Sequence, residues 1–243
     1  MAHSLLEVQG LQRSFGGLKA VDGLSFRLER GRILGLLGPN GSGKSTALNL
    51  ISGTLKPDAG SVRVDGQETA GMPSYQLARR GIGRTYQLVR VFPSMAIREN
   101  VAAGLAFAGP KLYGDQARAG IEQLLERVGL GGRSGELAGS LNYIDQKRLE
   151  LARALALQPQ VLLLDEWLAG LNPTELAEGM QLIQDVRAQD VAIVMVEHVL
   201  EAVRTLCDHC VVMNAGAQIA AGTAQEVLKH PDVISAYLGE DHA

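Results

Sequence analysis

An α/β fold interrupted by a helical block is the architecture this sequence predicts, on three observations. The runs Ile33–Leu37, Val161–Leu164 and Val191–Val196 are uniformly apolar and strand-sized, the mark of parallel strands buried on both faces. Each run leads straight into polar or glycine-rich residues: Gly38 to Thr46, Asp165-Glu166 and Glu197-His198. From about residue 88 to 157 the apolar spacing turns helical, with Ile121, Leu124, Leu125 and Val128 at i, i+3, i+4, i+7.

At the N-terminus, Leu5 to Val8 and Leu24 to Leu28 read as strands with Gly16-Gly17 marking the turn region between them. Phe15 is expected on a loop there, where its ring either stacks on a base or packs in the core. The stretch Gly38-Pro39-Asn40-Gly41-Ser42-Gly43-Lys44-Ser45-Thr46 fits G-x-x-x-x-G-K-[ST], with a strand before it and a helix, Thr46 to Ser52, after it. Glycines let successive N–H groups point at one anion, and the helix N-terminus adds partial positive charge. Lys44 is expected to reach the β- and γ-phosphates and Ser45 to ligate Mg²⁺, so the motif implies a nucleoside triphosphate.

Beyond Gly53, the turn Lys56 to Gly60 precedes a strand at Ser61 to Val64, followed by a second turn at Asp65-Gly66. A short helix is expected over Ser74 to Arg80 and a strand over Ile82 to Tyr86, ending at Gln87. In the helical block, Ile97, Val101 and Leu105 share a face, Gly129 to Gly139 break the pattern, and Leu149, Ala152 and Leu155 mark a helix ending near Pro159. The Val161 strand then delivers two carboxylates to its C-terminal end, where ligands bind in open α/β sheets. Asp165 is placed to hold Mg²⁺ through water, and Glu166 to orient and polarise an attacking water. His198, just past the next strand, is a candidate γ-phosphate contact.

Hydrophobic residues at 46% and charged residues at 20% are ordinary for a globular chain, and a net charge of −3 argues against a surface that coats nucleic acid. No apolar run approaches the roughly 20 residues needed to span a bilayer. Met1 to Ser4 carries no basic segment leading into an apolar core, so the sequence predicts no signal peptide. Cys207 and Cys210 form a lone Cys-x-x-Cys; without a second ligand pair, small apolar packing is the stronger reading over a redox or half-zinc site.

Taken in order, these pieces resemble the ATP-binding cassette (ABC) ATPases over nearly the whole chain. Phe15 resembles the adenine-stacking aromatic, Gly38 to Thr46 the Walker A loop, and Gln87 the Q-loop glutamine. Leu141 to Asp145 occupies the signature position, Val161 to Glu166 the Walker B strand, Leu171-Asn172 the D-loop and His198 the switch histidine. The runs Arg13 to Val21 and Ala169 to Glu175 and the tail His230 to Gly239 are similar to branched-chain amino-acid importer ATPases; lipopolysaccharide-export ATPases share part of that tail.

The resemblance implies a single domain over 1–243: a P-loop NTPase core with an N-terminal antiparallel β subdomain at 1–87 and 158–243, and an α-helical subdomain at 88–157 carrying the signature. It implies ATP and Mg²⁺ as cofactors. Lys44, Gln87, Glu166 and His198 would be catalytic, and Ser45, Gln87 and Asp165 would surround the metal. Phe15, the Walker A residues and Asn142, Tyr143, Ile144 and Asp145 would contact nucleotide, the last four that of a second, head-to-tail ATPase subunit. Transmembrane permease subunits, indirectly a solute-binding protein, and a peripheral place on the cytoplasmic face of the inner membrane follow, with no nucleic-acid partner. Gln87 to Met95 would receive a coupling helix, with Phe92 and Met95 as apolar contacts or as ordinary packing.

The chain departs from the pattern at three places. Asn142 and Ile144 stand where the signature usually has serine and glycine, and Trp167 where proline usually follows Glu166. Asn142 keeps an amide donor and is a good helix N-cap. Ile144 adds branched bulk where a backbone must approach an anion closely, and one lost preorganised donor costs about 2.7–4 kcal/mol. Trp167 is expected either to pack at the nucleotide interface and displace the D-loop or to sit on the subdomain surface. The expected function is the ATPase subunit of an ABC importer for branched-chain or related amino acids. One site of a heterodimer would be weak. A lipopolysaccharide-export-type ATPase, a non-transport ABC ATPase and a weakly catalytic regulatory module are the alternatives.

Overall fold

A computed structural model describes residues 4–108 and 113–238. Met1 to His3 and Gly239, the last residue of the family-like tail, lie outside these residues. The chain opens with two long strands, β1 (Ser4–Phe15) and β2 (Leu18–Glu29), paired antiparallel around the Gly16-Gly17 turn. Phe15 therefore ends a strand rather than sitting on a loop, because pairing continues out to Phe15 opposite Leu18.

Next come β3 (Ile33–Leu37), the glycine-rich loop and α1 (Lys44–Ile51). The strands β4 (Ala59–Val64) and β5 (Gln67–Glu68) extend the antiparallel side, and α2 (Ser74–Arg79) leads to β6 (Ile82–Arg84). That last strand is shorter than expected: pairing with its neighbour stops at Arg84, which leaves Tyr86 and Gln87 on the following turn.

The helical block comprises α3 (Ile97–Leu105), α4 (Gly114–Arg127) and α5 (Tyr143–Ala156). Glu99 caps α3 by accepting from the Ala96 N–H at 2.7 Å. Ile121 and Leu125 form the buried stripe of α4, and Leu149, Ala152 and Leu155 that of α5, as their spacing required. The core resumes with β7 (Val161–Asp165), α6 (Pro173–Arg187), β8 (Ala192–Val196), α7 (Leu200–Leu206), β9 (His209–Asn214), β10 (Ala217–Gly222), α8 (Ala224–Val227) and α9 (Pro231–Leu238).

All ten strands join one sheet in the order β5-β4-β1-β2-β10-β9-β3-β8-β7-β6. From β9 to β6 the neighbours are parallel, while β1, β2, β4 and β5 pair antiparallel. The parallel strands are buried on both faces, and alternation decides which core each side chain joins. Leu162, Leu164, Ile193 and Met195 pack with α5 and α6. Val161, Leu163, Val194 and Val196 point the other way, into a core shared with Leu48, Ile51 and the antiparallel strands. Asp165 and Glu166 thus emerge at the C-terminal edge of a strand fixed from both sides. Cys207 and Cys210 are free thiols packed over Gly35, where an added Cβ would sit 2.9 and 3.2 Å from their sulfurs.

Candidate active site

The loop between β3 and α1 has a shape only glycine permits. Gly38 (φ +140°) and Gly43 (φ +104°) would each drive a Cβ to 2.1 Å from a backbone oxygen, of Met213 and Ala20 respectively. No side chain caps α1, so its first-turn N–H groups keep the donor capacity that an anion would satisfy. Lys44 is buried, with Nζ donating to the carbonyls of Gly38 at 2.8 Å and Pro39 at 2.7 Å. Asn40, Gly41 and Ser45 are exposed, Thr46 is half-buried and Ser42 is buried. Tyr237, on α9, accepts from the Gly38 N–H at 2.9 Å and ties the C-terminal helix to the start of the loop.

Asp165 is buried at the end of β7. Its Oδ2 accepts from Arg84 Nη2 at 3.1 Å, while Oδ1 is buried with no hydrogen-bond partner. Burial pushes this carboxyl above its ordinary range, and the Arg84 charge pulls it back. Among the described residues, no group of three or more His, Cys, Asp or Glu side chains is arranged to hold a metal by itself. A divalent cation drawing on one carboxylate, one hydroxyl and phosphate oxygens needs no such group, and Asp165 Oδ1 with the Ser45 hydroxyl fits that donor set.

Glu166 follows in the left-handed region, at φ +52°, an uncommon conformation for a side chain of this kind and one that clusters at active sites. Its N–H donates to the Val196 carbonyl at 2.9 Å, which secures it to the end of β8. Two candidate residues close on its carboxylate: Gln87 Nε2 donates to Oε2 at 2.8 Å, and His198 Nε2 lies 2.8 Å from Oε1. Gln87, Glu166 and His198 come from three separate strand ends and meet at one acid.

Behind them lies a buried network. Glu197 Oε1 accepts from the Leu168 N–H at 2.7 Å, and burial pushes its carboxyl up to about 7. Lys147, on α5, is buried and donates to the carbonyls of Trp167 at 3.1 Å and Ala169 at 2.6 Å. Burial lowers its pKa, while Glu197, Glu150 and Glu166 act to hold it up.

Trp167 answers Lys147. The indole is 4% exposed, and its Nε1 donates to the Lys147 carbonyl at 3.2 Å. The ring lies against Gly179, whose missing Cβ would be 3.2 Å away. Trp167 is thus neither on the subdomain surface nor out at an interface; it is interior packing between α5 and α6. The next segment is regular: Asn172 Oδ1 caps α6, accepting from the Thr174 and Glu175 N–H groups at 3.0 Å.

At the start of α5, exposed Asn142 is the N-cap, its Oδ1 accepting from the Asp145 N–H at 2.8 Å. Asp145 is held by Arg133 at 2.7 Å and Arg148 at 3.6 Å. Tyr143 is exposed, while Ile144 is half-buried and lines a cavity with Trp167 and Leu171. Gln87 and His198 bond the Glu166 carboxylate directly, whereas the start of α5 reaches that segment through Lys147, whose Nζ lies 5.1 Å from the Tyr143 ring centre and donates to the Trp167 carbonyl at 3.1 Å. Phe15 is 44% exposed, with the Arg13 guanidinium 4.9 Å from its ring centre.

A phosphate-binding loop, an inserted helical block and a strand-end acid pair, in this order, define a cassette ATPase, and the chain belongs to the ABC transporter family, which matches residues 21–169. It binds nucleotide and is an ATPase of that type. Residues 217–243 match a second family, described as branched-chain amino acid ATP-binding cassette transporter. The chain is 39% identical to the high-affinity branched-chain amino acid transport ATP-binding protein BraF of Pseudomonas aeruginosa, covering 99% of this chain and 100% of that one. It is 40% identical, with the same coverage, to LivG of Escherichia coli (strain K12), which carries the same description. The lipopolysaccharide export system ATP-binding protein LptB of Haemophilus influenzae is 31% identical over 98% of each chain. Among solved structures, the ADP conformation of an ATP-binding cassette of an ABC transporter superposes with a TM-score of 0.88 at 29% identity, covering 97% of this chain and 99% of that one.

Sequence reasoning passed over Arg84, Lys147, Glu197 and Tyr237. A basic residue inside the short apolar strand before Gln87, and an acid completing the apolar run before His198, were visible as charges where burial was expected. Lys147 and Tyr237 gave no such signal, since each lies on a helix where exposure was equally probable.

Proposed function

We propose that this chain is the ATP-hydrolysing subunit of an importer for branched-chain or related amino acids. The observation that carries the reading is the convergence of Gln87 and His198 on Glu166, one residue beyond Asp165 and at the edge that also holds the P-loop. The full-length likeness to BraF and LivG supports the substrate class over lipopolysaccharide export. Lys44 and the α1 N-terminus bind the phosphates, and Phe15 presents a ring for the base. Ser45 and Asp165, with Gln87 nearby, would hold Mg²⁺, which when bound offsets charge on the phosphates. Glu166, oriented by Gln87 and His198, takes the proton of the attacking water.

The chain acts as one ABC domain, with 88–157 as its helical subdomain, in a head-to-tail pair of ATPase subunits beneath transmembrane permease subunits on the cytoplasmic face. Asn142, Tyr143, Ile144 and Asp145 face the partner's nucleotide. Among the described residues no helix is long and apolar enough to cross a membrane. Because Ile144 burdens only the site built with the partner, a heterodimer with one competent site fits the chain better than a homodimer. A homodimer with full turnover breaks that part of the reading.

The test is steady-state MgATP turnover of the protein beside an Asn142→Ser, Ile144→Gly double variant. A gain on the order of 10²-fold marks the signature as weakened in the native chain. Equal, ordinary turnover means that Ile144 is accommodated and that a conventional homodimer works. Leucine-dependent stimulation of ATP hydrolysis in the reconstituted transporter checks the substrate class.

A further inference from the structure

Arg84 is a buried cation that the proposed mechanism does not use. Its side chain is 7% exposed, and that of Asp165 is 4% exposed. Nη2 binds Asp165 Oδ2 at 3.1 Å on β7, while Nη1 binds Asn49 Oδ1 and Ser52 Oγ, both at 2.7 Å. Asn49 lies on α1, the helix that begins at Lys44 and Ser45, and Ser52 is its C-cap. The Tyr86 ring centre lies 4.8 Å from the guanidinium carbon. One side chain on β6 therefore ties the helix carrying Ser45 to the strand carrying Asp165.

The two Asp165 oxygens are treated differently. Oδ2 is fixed by Arg84, and Oδ1 is buried without a partner. A lone buried carboxylate oxygen is costly unless a donor or a cation meets it. A planar, always-charged fork presents donors from two separate nitrogens to acceptors on two elements, a spread that the single nitrogen of a lysine ammonium matches only in part. Partners behind a ligand that fix its orientation are known to set metal affinity.

We propose that Arg84 is a positioning residue for the divalent cation of this site: it fixes Asp165 so that Oδ1 alone faces the metal, and locks the Asp165-to-Ser45 spacing through α1. The inference rests on the ATPase reading above. Its test is equilibrium binding of ATP to the full chain in Mg²⁺ and in EDTA, for the native protein, Arg84→Met, Arg84→Lys and an Asn49→Ala, Ser52→Ala double variant, with thermal melts alongside. In Arg84→Met the tightening of ATP by Mg²⁺ falls about 10–100-fold, while affinity in EDTA stays within about twofold. Arg84→Lys recovers only part of it. The double variant keeps the ion pair, so it also covers the case in which Arg84→Met does not fold; its Mg²⁺-specific loss is about 3–10-fold, smaller because only the α1 half of the tie is cut.

Equal loss in Mg²⁺ and EDTA makes Arg84 merely structural and overturns the inference. So does full native Mg²⁺ dependence in the double variant, or native binding of ATP that Mg²⁺ does not tighten. A native chain that binds no ATP under either condition instead breaks the underlying ATPase reading.

Discussion

At the end of β7 two side chains, Gln87 and His198, close on Glu166, and a buried arginine holds the acid before it. At the start of α5 the chain is equally well tied down, with Asn142 capping the helix and Arg133 and Arg148 gripping Asp145. The first region is assembled from strand ends far apart in sequence and presents donors and acids to a ligand. The second satisfies itself locally: the Asn142 carbonyl oxygen that caps the helix is occupied, and Ile144 is half-buried beside Trp167. The comparison teaches that a segment can keep its fold while giving up groups it would otherwise offer to a neighbour. Stability and chemistry are set by different atoms of the same residues.

The sharpest way to break this contrast is at Glu166. Glu166→Gln keeps the shape and one acceptor oxygen of the side chain, turns the other acceptor into a donor and removes the base, and turnover is expected to fall about 10²–10⁴-fold with ATP affinity little changed. A comparable fall in affinity, read by equilibrium binding, would make Glu166 a binding group instead. Next in size is Trp167→Ala, which empties interior packing between α5 and α6 and is expected to cost about 3–5 kcal/mol in urea unfolding. A loss below about 1 kcal/mol would place the indole at the surface after all.

A smaller effect follows from Glu197, whose carboxyl burial raises to about 7 from an ordinary 4.5. The folded state binds this proton more tightly than the unfolded chain, so its contribution is fully present at low pH and is lost as pH rises through about 7. Glu197→Gln keeps a carbonyl for the Leu168 N–H and removes the charge. Between pH 5 and 8 the native protein should lose about 1–3 kcal/mol more stability than this variant, and parallel pH profiles would refute the assignment. Smallest of all, Tyr237→Phe removes the acceptor of the Gly38 N–H. Loss of a neutral hydrogen bond is expected to cost about 0.5–1.5 kcal/mol in urea unfolding, and a stability equal to that of the native protein would show that the bond contributes nothing.

Much of the strand-end region was legible in the sequence because its signals are local. An apolar run followed by Asp165-Glu166, or by a glycine-rich loop and Lys44, carries strand, edge and chemistry in one reading. Phe15 was misplaced on a loop because β1 continues by pairing with β2, a tertiary effect that no window of β1 alone reports. Trp167 was misread for a similar reason: its burial depends on Gly179, twelve positions on, lacking a side chain. The Arg84 bridge needed three-dimensional neighbours from α1 and β7, and its only trace in sequence was a charge in a strand otherwise built for the interior.

Trp167 is the single tryptophan of the chain, and it bonds the α5 backbone while its own carbonyl accepts from Lys147. Its fluorescence therefore arises from one place, the junction between the helix that begins at Tyr143 and the segment that follows Glu166. The unlabelled protein carries its own optical gauge. With excitation confined to the indole, away from the five tyrosines, a change in emission wavelength or quenching on adding nucleotide reports on that junction with no engineered probe.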